Sequence, residues 1–242
     1  MTVPRSSWQE FCYTELVKRT TDFNSLMQKD DSESEPYTSR YAAAEIQAKL
    51  IGHIRSFSDH QNELVFEVDG YRLMYATILG FCLIRRGLAL SETDLLKDSL
   101  PLLEEGLNLL DQESPCQDIV SKILALNTLG VSLCGLDRPK EAAQRLIDAE
   151  SAFEEAALTS DSTKGSQVLL NLDTVNEMAA APQLQKVHTQ TLFYRAQVEQ
   201  GLGNGPLATE YCGRTLARQA AAEGMPNVLI PAGLLKLMCT WM

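Results

Sequence analysis

The stretch Leu126-Asn127-Thr128-Leu129-Gly130-Val131-Ser132-Leu133, followed through the turn Cys134-Gly135-Leu136-Asp137-Arg138-Pro139 to Ala142, Leu146 and Ala149, decides how this chain folds. Its spacing follows a helix-turn-helix repeat. A large residue, a Leu-Gly pair and a second large residue on one helix answer an alanine and a large residue on the next. Leu126, Leu129-Gly130 and Leu133 supply the first set, and Ala142 and Leu146 the second. Gly130 and Ala142 are small, which lets two antiparallel backbones approach closely, and the leucines are expected to fill the space around that contact. Gly135 should end the first helix and Pro139 begin the second. An ordinary amphipathic hairpin would meet some of these positions, but small and large residues falling in place together select the tetratricopeptide reading. The repeat's closing proline is absent, with Glu154 in its place. One such hairpin cannot bury its apolar face alone, so neighbours should stack on it. The expected fold is an all-α, tetratricopeptide-like solenoid of helical hairpins.

Outward from this repeat the pattern recurs. Leu79-Gly80 and Leu83 repeat the close-approach signature upstream, and Ser91-Glu92-Thr93-Asp94 has the spacing of a capping box opening the next helix. That helix should bury Leu100, Leu103, Leu107 and Leu110, and should begin or kink near Pro101. Downstream, Ala196 and Ala208 occupy the two small positions of a further hairpin, and Ala208 follows Ala142 by 66 residues, close to two repeat lengths. Arg195 and Glu199 stand there where large apolar residues are expected; four apart on one face, they can pair. The whole chain is read as one array. An N-terminal helix covers 1–27, an acidic loop 28–35, and helix and loop 36–70. The first hairpin covers 71–112, the central repeat 116–158, a connection 159–181, the third hairpin 182–224 and an unpaired terminal helix 225–242.

Within these limits, Trp8, Phe11, Leu16 and Val17 mark a short amphipathic helix, and Ile46, Leu50 and Ile54 the buried side of the next. Leu64-Val65-Phe66-Glu67-Val68 is strand-like but, without a partner, is read as an ordered loop. The acids Asp30, Asp31, Glu33 and Glu35 are read as a solvated loop, since they lack calcium-loop spacing. Pro226 to Met242 carries Leu229, Leu234, Leu237, Met238 and Trp241 with no return helix. The array is therefore read as truncated at its C-terminal end, with self-association expected through that helix.

No motif in the sequence points to catalytic, cofactor or metal chemistry. Gly201-Leu202-Gly203-Asn204-Gly205 joins two helices instead of following a strand, so it reads as a turn and not a phosphate cradle. His53, His60 and His188 are far apart and fit no metal spacing; His53 reads as a boundary residue and His188 as a contact to a neighbouring helix. The six cysteines include no CxxC pair, and Cys82, Cys134 and Cys212 lie in apolar helical runs. No secretory signal or bilayer-length apolar run is present, which places the chain in the cytoplasm. A formal charge of −11 argues against nucleic acid and anionic membrane as partners and favours a basic protein surface. No catalytic residue, cofactor or metal is expected, and the chain is read as a non-enzyme.

Three local strings are more specific. Glu35-Pro36-Tyr37-Thr38-Ser39-Arg40-Tyr41 resembles an opening motif of the kinesin-binding protein family. Asn127-Thr128-Leu129-Gly130 is similar to that family's central repeat. Lys186 through Val198, continuing to Tyr211-Cys212-Gly213-Arg214-Thr215-Leu216-Ala217-Arg218-Gln219, resembles a third segment in the same order. The resemblance covers roughly Trp8 to Gln219. It implies a helical array that binds kinesin motor domains and keeps them off microtubules, in cytoskeleton-associated transport and neuronal development. It assigns no partner-contact residue. The alternative is a general tetratricopeptide scaffold, or a truncated relative, that binds another helix or peptide.

Overall fold

The computed structural model describes residues 5–57, 64–68, 71–112, 118–160 and 177–221. The fold is all-α, built from α1 (Arg5–Phe11), α2 (Val17–Met27), α3 (Thr38–Arg55), α4 (Tyr75–Ser91), α5 (Leu96–Asp111), α6 (Ile119–Gly135), α7 (Pro139–Ser160), α8 (Glu177–Gly201) and α9 (Gly205–Ala221), with α2 packed on α3, α3 on α4, α4 on α5, α7 on α8 and α8 on α9. A π-helical turn, Cys12–Leu16, joins α1 to α2. Among the described residues no helix is long and apolar enough to cross a membrane. The chain forms two compact units that divide between Ser121 and Lys122.

The first unit is built around aromatic residues. Trp8 and Phe11 of α1 pack on Phe57 and Tyr75, and beneath them lie Cys12, Leu16, Leu50, Ile54, Phe66, Leu73 and Ile78. The run at Leu64–Val68 corrects the loop expectation. Val65–Val68 is strand β1, paired antiparallel with β2, Tyr71–Met74, in the register Val65 to Met74. The partner was legible as Tyr71-Arg72-Leu73-Met74, two residues on, across Asp69-Gly70, a strong hairpin dipeptide. The N-terminal helix fastens this ribbon: Gln9 donates to the Val65 carbonyl at 2.7 Å and Tyr13 to that of Glu67 at 2.9 Å.

Helices α4 and α5 approach closely through facing glycines. A Cβ on Gly80 would lie 3.0 Å from the Gly106 carbonyl oxygen, and one on Gly106 would lie 2.9 Å from that of Gly80. Leu103, Leu107 and Leu110 are buried, while Leu100 is half-buried. Pro101 sits inside α5, which begins at Leu96. The capping box is corrected. Ser91 ends α4 and donates to the Leu88 carbonyl, while Thr93 accepts from the Leu95 amide at 3.1 Å. A local Thr turn competes for the same orphan groups and wins.

In the second unit two helical hairpins obey one plan. Helix α6 closes with Asp137 in the left-handed conformation, where the Arg138 amide donates to the Leu133 carbonyl and the Asp137 amide to Cys134. Helix α8 closes identically 66 residues later: Gly203 is left-handed, Asn204 donates to Glu199 and Gly203 to Gln200. Both are Schellman closures. Gly135 is thus the last helical residue, and the left-handed position beyond it belongs to Asp137, whose short polar side chain tolerates that region. Helix α8 begins at Glu177, ahead of the Pro182 expected to introduce it.

Candidate functional site

In α6 and α7, Leu126, Leu129, Leu133, Ala142, Leu146 and Ala149 are all buried. Gly130 faces Leu146 so closely that a Cβ there would lie 2.8 Å from the Leu146 Cγ. In the second hairpin, Ala196 of α8 shares an apolar cluster with Leu192, Tyr211 and Cys212, and Ala208 of α9 is buried too. The 66-residue offset places Ala196 opposite Cys212 where the first hairpin has Gly130 opposite Leu146. The larger of the two small residues meets the smaller partner.

The same offset puts Arg195 and Glu199 where Leu129 and Leu133 stand. Their side chains are each 5% exposed and pair at 2.8 Å. Arg195 also donates from Nη1 to the Ala143 carbonyl of α7 at 2.9 Å and lies over the Tyr211 ring, 4.9 Å from its centre. Asn204 donates to the second oxygen of Glu199 at 2.6 Å. A charge pair this buried needs further partners: the Ala143 carbonyl and Asn204 fill part of its hydrogen-bonding capacity and the Tyr211 ring covers the guanidinium, while Arg195 Nε has no partner among the described residues.

Beside this pair α9 presents a basic edge. Tyr211 donates to Glu150 of α7 at 2.8 Å, and Arg214 binds the other oxygen of that carboxylate. The Tyr211 hydroxyl is held above its ordinary pKa, first by burial and then by the Glu150 hydrogen bond. One turn on, Arg218 donates to the amide oxygen of Gln185 and lies 5.1 Å over the Phe153 ring. Phe153 stacks flat on His188 at 3.6 Å. The backbone of α8 at this point is held from α6, where Asn127 donates to the Val187 carbonyl at 2.9 Å. His188 is 3% exposed, and among the described residues neither ring nitrogen has a hydrogen-bond partner. Burial lowers its pKa to about 3, helped by the charges of Arg218 and Arg214, so the imidazole is neutral at neutral pH. His188, Leu192, Arg214, Ala217 and Arg218 line a shallow groove of about 320 Å³. Burial, then the nearby Arg214, lowers the pKa of Arg218, while Glu150 more than offsets burial at Arg214.

This groove is the candidate site, and sequence reading found only part of it. His188 was legible as a helix contact. Arg214 and Arg218 stood inside a resembling string without an assigned task, and Glu150 and Phe153 carried no signal. Only the packing of α7, α8 and α9 together brings them to the same place.

The other singled-out residues are structural. The string Glu35–Tyr41 ties the acidic segment to its neighbours. Asp31 accepts from the Ser39 amide at 2.9 Å and from its hydroxyl at 2.8 Å, Arg40 donates to the Lys29 carbonyl and pairs with Glu92, and Tyr41 donates to Asp94. Asp31 therefore corrects the solvated-loop reading: it satisfies a free amide at the start of α3. His53 lies on the surface against Phe11 and Phe57. Cys12 and Cys82 are buried thiols, the latter pushed up to about 12 by burial. Among the described residues no group of three His, Cys, Asp or Glu could hold a metal. His60, Cys116, Cys239 and the terminal apolar run with Met238 and Trp241 lie outside the described residues, as does most of 159–181.

The chain is distantly similar to two curated proteins, each named KIF-binding protein. That from Gallus gallus is 24% identical over 223 residues, covering 90% of this chain and 36% of the relative. That from Drosophila melanogaster is 23% identical over 230 residues, covering 92% of this chain and 38% of the relative. The chain thus spans a little over a third of the length of these relatives. No protein-family profile and no solved structure matches it.

Proposed function

We propose that this chain is a non-catalytic binder of kinesin motor domains that keeps them from attaching to microtubules. The observation that carries the reading is the similarity to two KIF-binding proteins over nine-tenths of this chain. Two physical features support it. Paired helices offer long, rigid faces on which a folded partner can lie, and a formal charge of −11 suits a partner with a basic face. A motor surface that grips an acidic filament is such a face, so occupying it excludes the filament sterically and electrostatically. The setting is cytoplasmic and cytoskeleton-associated, in microtubule-based transport and neuronal development.

The test is a pull-down of purified kinesin motor domains on the immobilised chain at low and high salt, followed by microtubule co-sedimentation. Capture at low salt that weakens at high salt, with motor displaced from the microtubule pellet, is expected. No capture at low salt would sink the reading. The chain's span of little over a third of these relatives favours a second reading, a helical scaffold that binds another helix or peptide. Crosslinked partners other than motors would select it.

A further inference from the structure

We infer that the groove between α8 and α9 is a binding site for an acidic, partly apolar segment of a partner protein, whose carboxylate is received by Arg218, Arg214 and His188. The site runs against the charge of the whole chain. Arg214 already holds Glu150, but among the described residues Arg218 reaches only the neutral amide oxygen of Gln185 and the face of Phe153. Among the described residues, both charged side chains that line the groove are arginines, and Glu150 engages only Arg214. At its floor lies His188, 3% exposed, whose two ring nitrogens are covered and have no hydrogen-bond partner among the described residues. A buried polar group without a partner costs free energy that a ligand can recover. The neutral imidazole carries one N–H donor, so it can donate to a carboxylate oxygen while Arg218 supplies the charge.

The lining decides what carries the carboxylate. Leu192 and Ala217 line the groove beside the cations, and the His188 ring at its floor is backed by Phe153. A carboxylate flanked by leucine-like side chains fills both parts. A polyanion such as nucleic acid would gain one contact here and meet repulsion from the remaining surface of a chain at −11. This site has the opposite sign to the one proposed for a basic motor face, so either can fail without the other.

The probe is a fluorescein-labelled peptide alternating leucine and glutamate, titrated with the full chain and read by fluorescence anisotropy. Its counterpart has glutamine at every glutamate, and the competitors are inorganic phosphate and a short single-stranded DNA. Saturable binding of the acidic peptide, with Arg218→Gln weakening it about tenfold, the scale of one lost charge-assisted hydrogen bond, is expected. Ala217→Glu, at an exposed rim position, should weaken it as well and serves if Arg218→Gln melts early. The His188 ring resonances should move on titration while those of His53 do not. Equal binding of the glutamine peptide, equal affinity in both variants, or an unmoved His188 would overturn the site. Displacement by phosphate or DNA at the peptide's own concentration would show a general anion site and overturn the protein-segment assignment.

Discussion

Arg195 and Glu199 form a buried ion pair at the two positions that Leu129 and Leu133 fill 66 residues earlier. Around them the hairpins agree: the same Schellman closure, the same small-to-large contact, the same buried alanine at the start of the return helix. The second hairpin thus keeps the geometry of the first while replacing apolar volume with charge. Burying that charge cost desolvation, offset by the Ala143 carbonyl, Asn204 and the Tyr211 ring.

The pair can be tested by asking whether the apolar version still fits. Glu199→Leu alone leaves Arg195 charged and buried, and should lose about 3–5 kcal/mol in urea unfolding. The double variant Arg195→Leu with Glu199→Leu restores the apolar arrangement of the first hairpin. It should stand within about 2 kcal/mol of the parent, far above either single variant. Additive losses would mean that the two side chains act separately.

The small-to-large exchange yields a second prediction. Gly130→Ala places a methyl 2.8 Å from the Leu146 Cγ, and should cost about 1–3 kcal/mol by overpacking. Adding Leu146→Cys reproduces the Ala196–Cys212 combination and should recover part of that loss. Gly106→Ala should cost more than Gly130→Ala, because the Gly80 carbonyl oxygen at 2.9 Å belongs to a backbone and cannot rotate away. Thermal melts of the four proteins give the order. Gly106→Ala melting above Gly130→Ala would show that α4 and α5 can slide apart.

What was legible in the sequence follows from how local the cause was. Helix period, the Gly and Ala positions and the turns are written in neighbouring residues, so the hairpins could be read directly. The β1–β2 ribbon is not legible from Val65–Val68 alone; it takes Asp69-Gly70 and the run after it to supply a partner strand. The groove was out of reach. Glu150, Phe153, His188 and Arg218 are spread over three helices, and nothing local tells a solvated arginine from one laid over a phenylalanine.

Asp31 separates two kinds of acid in one segment. Burial would raise its pKa, but hydrogen bonds from the Ser39 side chain and amide, with Arg40 nearby, hold it below the ordinary aspartate range. A carboxylate with a depressed pKa stabilises the fold above its unfolded pKa, and that contribution fades as pH falls through the folded value. Asp31→Asn should lower the melting temperature at pH 7, and the gap to the parent should close in acid. The combined change of Asp30, Glu33 and Glu35 to serine should leave the melting temperature nearly unchanged, as surface changes do. Equal effects of the two variants would return Asp31 to the solvated loop.

His188 makes the stability of the second unit sensitive to mild acid. Its pKa is about 3 in the folded chain against an ordinary value near 6.5. Above 6.5 the ring is neutral whether folded or unfolded, and its contribution is complete. Between the two values the unfolded chain binds a proton that the folded chain refuses, so stability falls as pH falls, by about 1.4 kcal/mol per pH unit. From pH 6.5 to 5 that amounts to about 2 kcal/mol. The groups facing the ring reinforce the sign: Arg214 and Arg218 repel a second positive charge, and Glu150 is engaged by Arg214 and Tyr211. His188→Phe keeps the stack on Phe153 and removes the titration. Urea unfolding at pH 7, 6, 5.5 and 5 should show the parent losing stability faster than His188→Phe, since carboxylates elsewhere titrate equally in both. Parallel curves for the two proteins would place the imidazole in water and remove the floor of the groove.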